Sequence, residues 1–482
     1  MGDNDNHRLS AVDKTQISFA ERSARVLHAV VFVCLLALMI VAILPYGTVD
    51  AWWEAVFECG VFAVTAIWVL EVLLAAKWNL RELSPLIPLI LITAYAFAQT
   101  VAIQSSWPFI GNAAMNSGHM LSIDRFQTLL TARKMLALML FLGLLLLHVS
   151  SPKRLRWLVR TVIGIGFGSA LFAILRQFLQ APDAQMGFVL PFLFYGVGFG
   201  QFISPNAFAY LMEMVLGLQI GLLLGGGRQR SRIPIDLGLA AVVWTALISS
   251  NSRGGIFALI IQMLFLLFVS LSWYTSRHAA DKYENGPNWL NSLGKSRAIR
   301  MIIVAILGTT LIAGVFWMGG ERFATRVSEL DTSVESLDAT SRQSIWRSSW
   351  ELVRHNPISG VGFGTYFLAI PQYEHTAGRL KLEEAHNDYL DLAANGGVVA
   401  VGLAAWFVAL VISRARRSLR SSDAYRRAAA LGAVAGMLSI AAHSLVDFGL
   451  QITGIAVVFI ALVTVAIAGN SVEQKKVEHY EA

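Results

Sequence analysis

Residues 235–273 read IDLGLAAVVWTALISSNSRGGIFALIIQMLFLLFVSLSW. Two apolar runs, 235–250 and 255–273, flank a short polar turn, Ser250-Asn251-Ser252-Arg253-Gly254-Gly255. A helix needs about 20 apolar residues to cross the hydrocarbon core of a bilayer. Two such runs joined by so tight a turn read as an antiparallel pair of membrane helices. Working outward, the same signature recurs at 26–44, 56–76, 85–103, 131–149, 158–177, 206–225, 301–319, 396–413, 428–445 and 451–469. The expected fold is all-α: a polytopic membrane protein with about 12 transmembrane helices.

Composition excludes the alternatives. The chain is 56% hydrophobic and 14% charged, where soluble domains run near ~45–50% and ~25%. The net charge of +7 would suggest a nucleic-acid partner on a soluble protein. Here the basic residues fall in short loops between apolar runs, so no nucleic acid is expected and the partner is membrane lipid. Cys34 and Cys59 sit in apolar runs and offer no disulfide framework or metal cluster. Residues 1–25 are polar and of mixed charge, which suits a cytoplasmic tail with an amphipathic end rather than a cleaved signal peptide.

The loops fix an orientation. Alternate loops carry Lys77 and Arg81; Lys153, Arg154 and Arg156; Arg228, Arg230 and Arg232; Arg277, Lys282, Lys295, Arg297 and Arg300; and the cluster from Arg414 to Arg427. The loops at 45–55 and 178–205 hold no Lys or Arg. Positive charge stays inside, so both termini are expected in the cytoplasm. The expected organisation is a tail at 1–25, nine spans over 26–319, a large outer loop at 320–395, three spans over 396–469 and a tail at 470–482. Residues 274–300 read as a polar connector.

The outer loop is basic, with Arg322, Arg326, Arg342, Arg347, Arg354, Arg379 and Lys381. Long loops cross membranes largely regardless of charge. These arginines are either a solvated surface or an anion site. Ser341 to His355 reads as a helix, with Asp338, Thr340 or Ser341 as cap and Pro357 as stop. Ile345, Trp346, Trp350 and Val353 form its apolar stripe. Gly360-Val361-Gly362-Phe363-Gly364 is either a tight turn or a phosphate cradle built of backbone N–H groups. Leu382 to Ala394 reads as a second helix, ended by Asn395-Gly396-Gly397. His386 falls in its first turns, where the helix dipole favours neutral imidazole, the form a general base needs. Asp388 is the next candidate base. Arg253 and Arg176 lie near the outer ends of spans, where an arginine meets lipid phosphate or snorkels to headgroups. His443 and Asp447, four apart, read as a structural pair or as lining for an acceptor path. Glu71 and Glu213 read as intramembrane acids.

Several pieces taken together resemble the O-antigen ligase and O-antigen polymerase superfamily. They are Ser204-Pro205-Asn206-x-Phe208-Ala209, Ser252-Arg253-Gly254-Gly255, Arg342-x-x-x-Trp346, Asn356-Pro357-x-x-Gly360-x-Gly362-x-Gly364, His386-Asn387-x-x-Leu390 with Gly396-Gly397, and His443-Ser444-Leu445-Val446-Asp447-Phe448. The resemblance spans roughly residues 85–465. It implies an inner-membrane glycosyltransferase, with its site under a partly helical periplasmic loop between the ninth and tenth spans. The donor would be a glycan on undecaprenyl diphosphate, and the acceptor lipid A-core (ligase) or another lipid-linked glycan (polymerase, including exopolysaccharide polymerase). No metal, nucleotide sugar or other cofactor is implied. His386 would be the catalytic base; Arg253 and Arg342 would bind the diphosphate, with Arg347 and Arg176 behind them. Asp388, His443 and Asp447 are secondary candidates.

Other classes fit less well. The inside loops carry no Asp-x-Asp metal pair for a nucleotide sugar. Gly294-Lys295-Ser296 matches the end of a phosphate loop, but Trp289 stands where its first glycine belongs. A secondary transporter or flippase of lipid-linked glycans would place charge at mid-membrane and show inverted repeats, and no such repeat is evident.

Overall fold

A computed structural model of the chain describes residues 19–75, 83–101, 121–179, 198–226, 230–281, 308–309, 342–374 and 382–467. Among these the longer helices are α1 (Phe19–Ile43), α2 (Ala51–Ala75), α3 (Leu86–Gln99), α4 (Arg125–His148), α5 (Pro152–Leu179), α6 (Pro205–Leu224), α7 (Ile233–Ser249), α8 (Arg253–Asp281), α9 (Arg342–His355), α10 (Asp388–Leu419), α11 (Ala424–His443) and α12 (Thr453–Ile467). No strand occurs among the described residues. Seven helices (α1, α2, α4, α5, α6, α8 and α10) are long and apolar enough to cross a membrane, and α3, α7 and α12 are shorter apolar helices. The protein is an all-α polytopic membrane protein.

Helix starts follow local chemistry. Asp124, Ser204, Asn387 and Asp423 accept hydrogen bonds from backbone N–H groups of the first turns of α4, α6, α10 and α11. These donors have no partner within the helix, so the caps set where each begins. Pro205 follows its cap, where a missing N–H costs nothing.

The innermost helix is α6, buried from Ala207 to Leu223. It meets α11 glycine to glycine: Gly217 faces Gly436, Gly221 faces Gly432, and Gly225 faces Ala428. A Cβ at Gly221 would run into the Gly432 backbone. Within a bilayer, where lipid is as apolar as leucine, such close backbone approach is what holds helices together. Gln262 of α8 completes the junction, donating to the carbonyls of Glu213 and Ala435 and to Ser439 Oγ.

The segment after α9 packs against Leu352 of α9 and Ala394 of α10 through Val361, Tyr366, Ala369 and Ile370, and against Ile92 and Ala96 of α3 through Phe363. It docks at a break in α10, where Gly397 adopts φ 61°, ψ −164°. Val398 N–H donates to Pro357 O, and Gly362 N–H to Asn395 O.

Several boundaries differ from the sequence reading. The second loop helix begins at Asp388, not Leu382, because Asn387 is its cap; the break at Gly397 falls on the expected stop signal, and the helix then resumes to Leu419. Helix α8 continues to Asp281, into the expected connector. The buried face of α9 is Ile345, Ser348, Ser349 and Leu352, while Trp350 is 54% exposed. Glu58 joins Glu71 and Glu213 as an acid inside a span; Arg133 Nε lies 2.6 Å from its Oε2. Residues 19–25, expected in the N-terminal tail, form the first turns of α1, whereas residues 1–18, all but 308–309 of the expected span at 301–319, the outer loop at 320–341 and 375–381 with the proposed α9 caps, and the C-terminal tail lie outside the described residues.

Candidate active site

Five elements converge at one end of the helix bundle: the starts of α6, α8, α9 and α10, and the turn after α11. The turn carries Asp447. Its Oδ1 lies 3.3 Å from His386 Nδ1 and accepts from Phe448 N–H at 2.9 Å. Its Oδ2 accepts from Asn206 Nδ2 and lies 3.8 Å from Arg342 Nη2. The Asp447 side chain is only 5% exposed, whereas His386 and Arg342 are 38% and 44% exposed. A buried carboxylate thus holds two groups that face outward.

His386 precedes the cap of α10 rather than sitting in its first turn. Its backbone is left-handed, φ 48°, a conformation few non-glycine residues adopt, though histidine is among those enriched there. Trp346 Nε1 donates to its carbonyl at 3.4 Å, and Phe448 meets the ring edge-on with centroids 5.1 Å apart. With Nδ1–H aimed at Asp447, Nε2 is the nitrogen left bare to accept a proton.

A second arm of the network reaches Arg253. Asn206 Oδ1 accepts from Ser252 Oγ at 2.7 Å, and Ser252 Oγ accepts from Gly255 N–H at 3.1 Å. Arg253 lies between these residues, exposed at the first position of α8, and makes no hydrogen bond or ion pair with the described residues. Gly254 packs on His443, where a Cβ would strike the ring.

The electrostatics follow from this packing. Burial alone would raise the Asp447 carboxyl. Hydrogen bonds from His386 and Phe448, with the facing His443 and His386, outweigh it and hold the group below its ordinary value. Glu384, two residues before His386, moves the other way. Burial and then Glu383 push it from 4.5 to about 7, against the pull of His386 and Lys134 and with Asp447 adding to the rise.

The remaining candidates separate by place. His443 and Asp447 do not pair with each other. His443 Nδ1 lies 2.7 Å from Glu213 Oε1, its ring stacks on Tyr210 at 3.9 Å, and both partners of the pair are fully buried. The four-residue spacing shows only in the backbone, where Asp447 N–H donates to His443 O at 3.1 Å, while the His443 side chain turns to Glu213. Asp388 is engaged elsewhere: its Oδ2 accepts from Ser444 Oγ and from the N–H groups of Gly449 and Leu450, tying α10 to the Asp447 turn. Arg176 Nη1 donates to Gly200 O at 2.7 Å, in the loop that leads into α6. Arg347 is exposed and, five residues beyond Arg342, points about 140° away round α9. In the glycine-rich segment, the N–H groups of residues 360–363 all donate within the protein. It is a docking turn rather than a phosphate cradle.

Asn206 is the residue the sequence reading left without a role. Its signal was its place in the Ser204-Pro205-Asn206 motif, but the hydrogen bond to Asp447 spans 241 positions.

A comparison with curated proteins gives no match. Residues 238–407 match the family model described as O-Antigen ligase, a stretch that holds Arg253, Arg342, Arg347, His386 and Asp388 and runs from α7 into α10. The chain therefore carries a domain of the O-antigen ligase superfamily.

Proposed function

We propose that the protein is an O-antigen ligase: a glycosyltransferase of the inner membrane that moves a glycan from undecaprenyl diphosphate onto a hydroxyl of lipid A-core at the periplasmic face. The observation that carries this reading is the His386–Asp447 pair, set beside Arg342 and joined through Asn206 and Ser252 to the turn of Arg253. A flippase has no need of a carboxylate-oriented imidazole beside two outward-facing arginines.

In the proposed reaction the acceptor oxygen attacks the anomeric carbon and its proton passes to His386 Nε2. Asp447 stabilises the imidazolium that forms. The bond from the anomeric carbon to the diphosphate oxygen breaks, leaving its electron pair on the lipid diphosphate. Arg253 and Arg342 take up that charge, as planar forks suited to phosphate oxygens. Attack opposite the leaving group inverts the anomeric centre. Arg347 stands as a weaker phosphate contact. Arg176 and Asp388 position the segments that bear Asn206 and Asp447.

We also place twelve spans in the chain, with both termini in the cytoplasm and the large loop between the ninth and tenth spans in the periplasm. The basic residues of the alternate loops support this orientation. The test is a gel of surface polysaccharide and lipid-linked intermediates from a deletion strain, complemented with wild type or His386→Ala. Long chains held on the lipid carrier over bare lipid A-core support ligation. Loss of long chains with single repeats retained would make the protein a polymerase. Unchanged chains and attachment would remove the glycosyltransferase reading.

A further inference from the structure

A second cluster of chemically able side chains lies far from His386. The start of α4 hydrogen-bonds to the docking turn through Ile123 and Val361. The 24 residues of α4 then carry the chain some ~36 Å to His148, at the opposite end of the bundle. There His148 meets Glu71 of α2 and His28 of α1. His28 Nδ1 lies 2.8 Å from Glu71 Oε1, and His148 Nε2 lies 3.1 Å from Glu71 Oε2. The three ligand atoms all fall within 4.8 Å of one another. Side-chain exposure grades from 1% at His148 through 13% at Glu71 to 31% at His28. The cluster is closed within the bundle and open on the His28 side.

The hydrogen bonding of His148 makes this arrangement unusual. Its Nδ1 lies 2.8 Å from Leu144 O. A carbonyl oxygen only accepts, so Nδ1 carries the hydrogen. In a neutral imidazole Nε2 is then bare, and it faces a carboxylate oxygen. Two lone pairs at that separation need a cation between them, either a proton or a metal ion. The residue set favours the metal. Two imidazoles and one carboxylate form the ligand set of three-residue zinc sites with an open fourth position. An Nδ1–H held by a backbone carbonyl is how metal-binding histidines are oriented. Arg154 adds a clamp: Nη1 donates to His148 O at 2.9 Å and Nη2 to His28 O at 3.3 Å, so one guanidinium fixes the backbone of both histidines. Ligands bonded at ~2.0 Å to a tetrahedral ion stand about 3.3 Å apart, so seating it would open the His–Glu contacts from 2.8 and 3.1 Å slightly and bring the two imidazoles closer than their 4.8 Å limit.

We propose that His28, Glu71 and His148 bind one divalent transition-metal cation of the zinc class, tying α1, α2 and α4 together at the end of the bundle away from the sugar-transfer centre. This assignment does not depend on the proposed reaction.

The test uses the full chain, purified in detergent with any affinity tag removed and stripped with chelator. Zn²⁺ retained after desalting is counted by mass spectrometry, and Co²⁺ is followed by its visible absorption. The expected result is one tightly held equivalent per chain with a tetrahedral Co²⁺ spectrum. Both signals should disappear in Glu71→Gln and His148→Gln. His28→Gln, at the most exposed ligand, guards against misfolding: it should remain monodisperse and lose the tetrahedral spectrum. No retained metal in the wild type would overturn the proposal and leave a proton to bridge His148 and Glu71. Equal retention by all three variants would overturn it as well.

Discussion

His386 holds a left-handed backbone, φ 48°, next to a carboxylate that selects its tautomer, so conformation and chemistry can be separated by substitution. Asparagine tolerates that backbone region better than most residues. His386→Asn should reach wild-type protein levels and lose about 10²–10⁴ in transfer rate, the usual worth of a positioned base; the measurement is in vitro ligation with purified protein. His386→Ala should lose the same activity and also melt at lower temperature. Activity surviving in the asparagine variant would displace His386 as base. Glu384 gives a pH prediction. Its folded-state pKa is raised from 4.5 to about 7, chiefly by burial. It therefore contributes stability at low pH that is lost as pH rises through about 7. Glu384→Gln should match wild type in thermal unfolding below about pH 4.5, gain on it as pH rises toward about 7, and keep that lead above it. Asp447, held below its ordinary value, acts in the opposite sense, losing its contribution as pH falls through that lowered value. At this scale the sequence singled out His386, Arg253 and Arg342 as candidates, because each stands in a short local motif. Asn206 and the His28–Glu71–His148 cluster were not readable, since their partners lie 241, 43 and 77 positions away.

Helix α10 is two helices in series. Its first part carries the cap that follows His386, and its longer part enters the membrane beyond Gly397. That glycine has φ 61° and lies against the carbonyl of Ile358. Gly397→Ala would meet both a disfavoured backbone and a carbonyl oxygen. A loss of about 1–3 kcal/mol is expected from the backbone alone, read as a lower unfolding temperature. The α6–α11 contact invites a second substitution. Gly221→Leu has no room against Gly432, so folded protein recovered after solubilisation should fall sharply, whereas Gly238→Leu, where no neighbour crowds the added carbon, should not change it. The apolar runs announced most helices, and Asn395-Gly396-Gly397 announced the break. The start of α10 was misplaced because the acidic stretch before His386 resembles a first helical turn, while the cap that decides the matter is a side-chain hydrogen bond of Asn387.

For the whole molecule, orientation is the claim most open to direct measurement. Single cysteines at Asp50, between α1 and α2, and at Ser150, between α4 and α5, fall in loops expected on opposite sides of the membrane. In intact cells with a permeabilised outer membrane, a membrane-impermeant thiol reagent should label the first and spare the second, once Cys34 and Cys59 are replaced by serine. Labelling of the second alone would invert the bundle and put His386 on the cytoplasmic side. The all-α polytopic class was legible from hydropathy because the bilayer imposes one repeated length. The convergence of four helix starts and one turn on Asp447 was not, because it depends on which helices pack together.

That packing also governs movement. Glycines 217 and 221 of α6 leave no gap against α11, so those two helices move as one unit, and any opening of the bundle must come between other pairs.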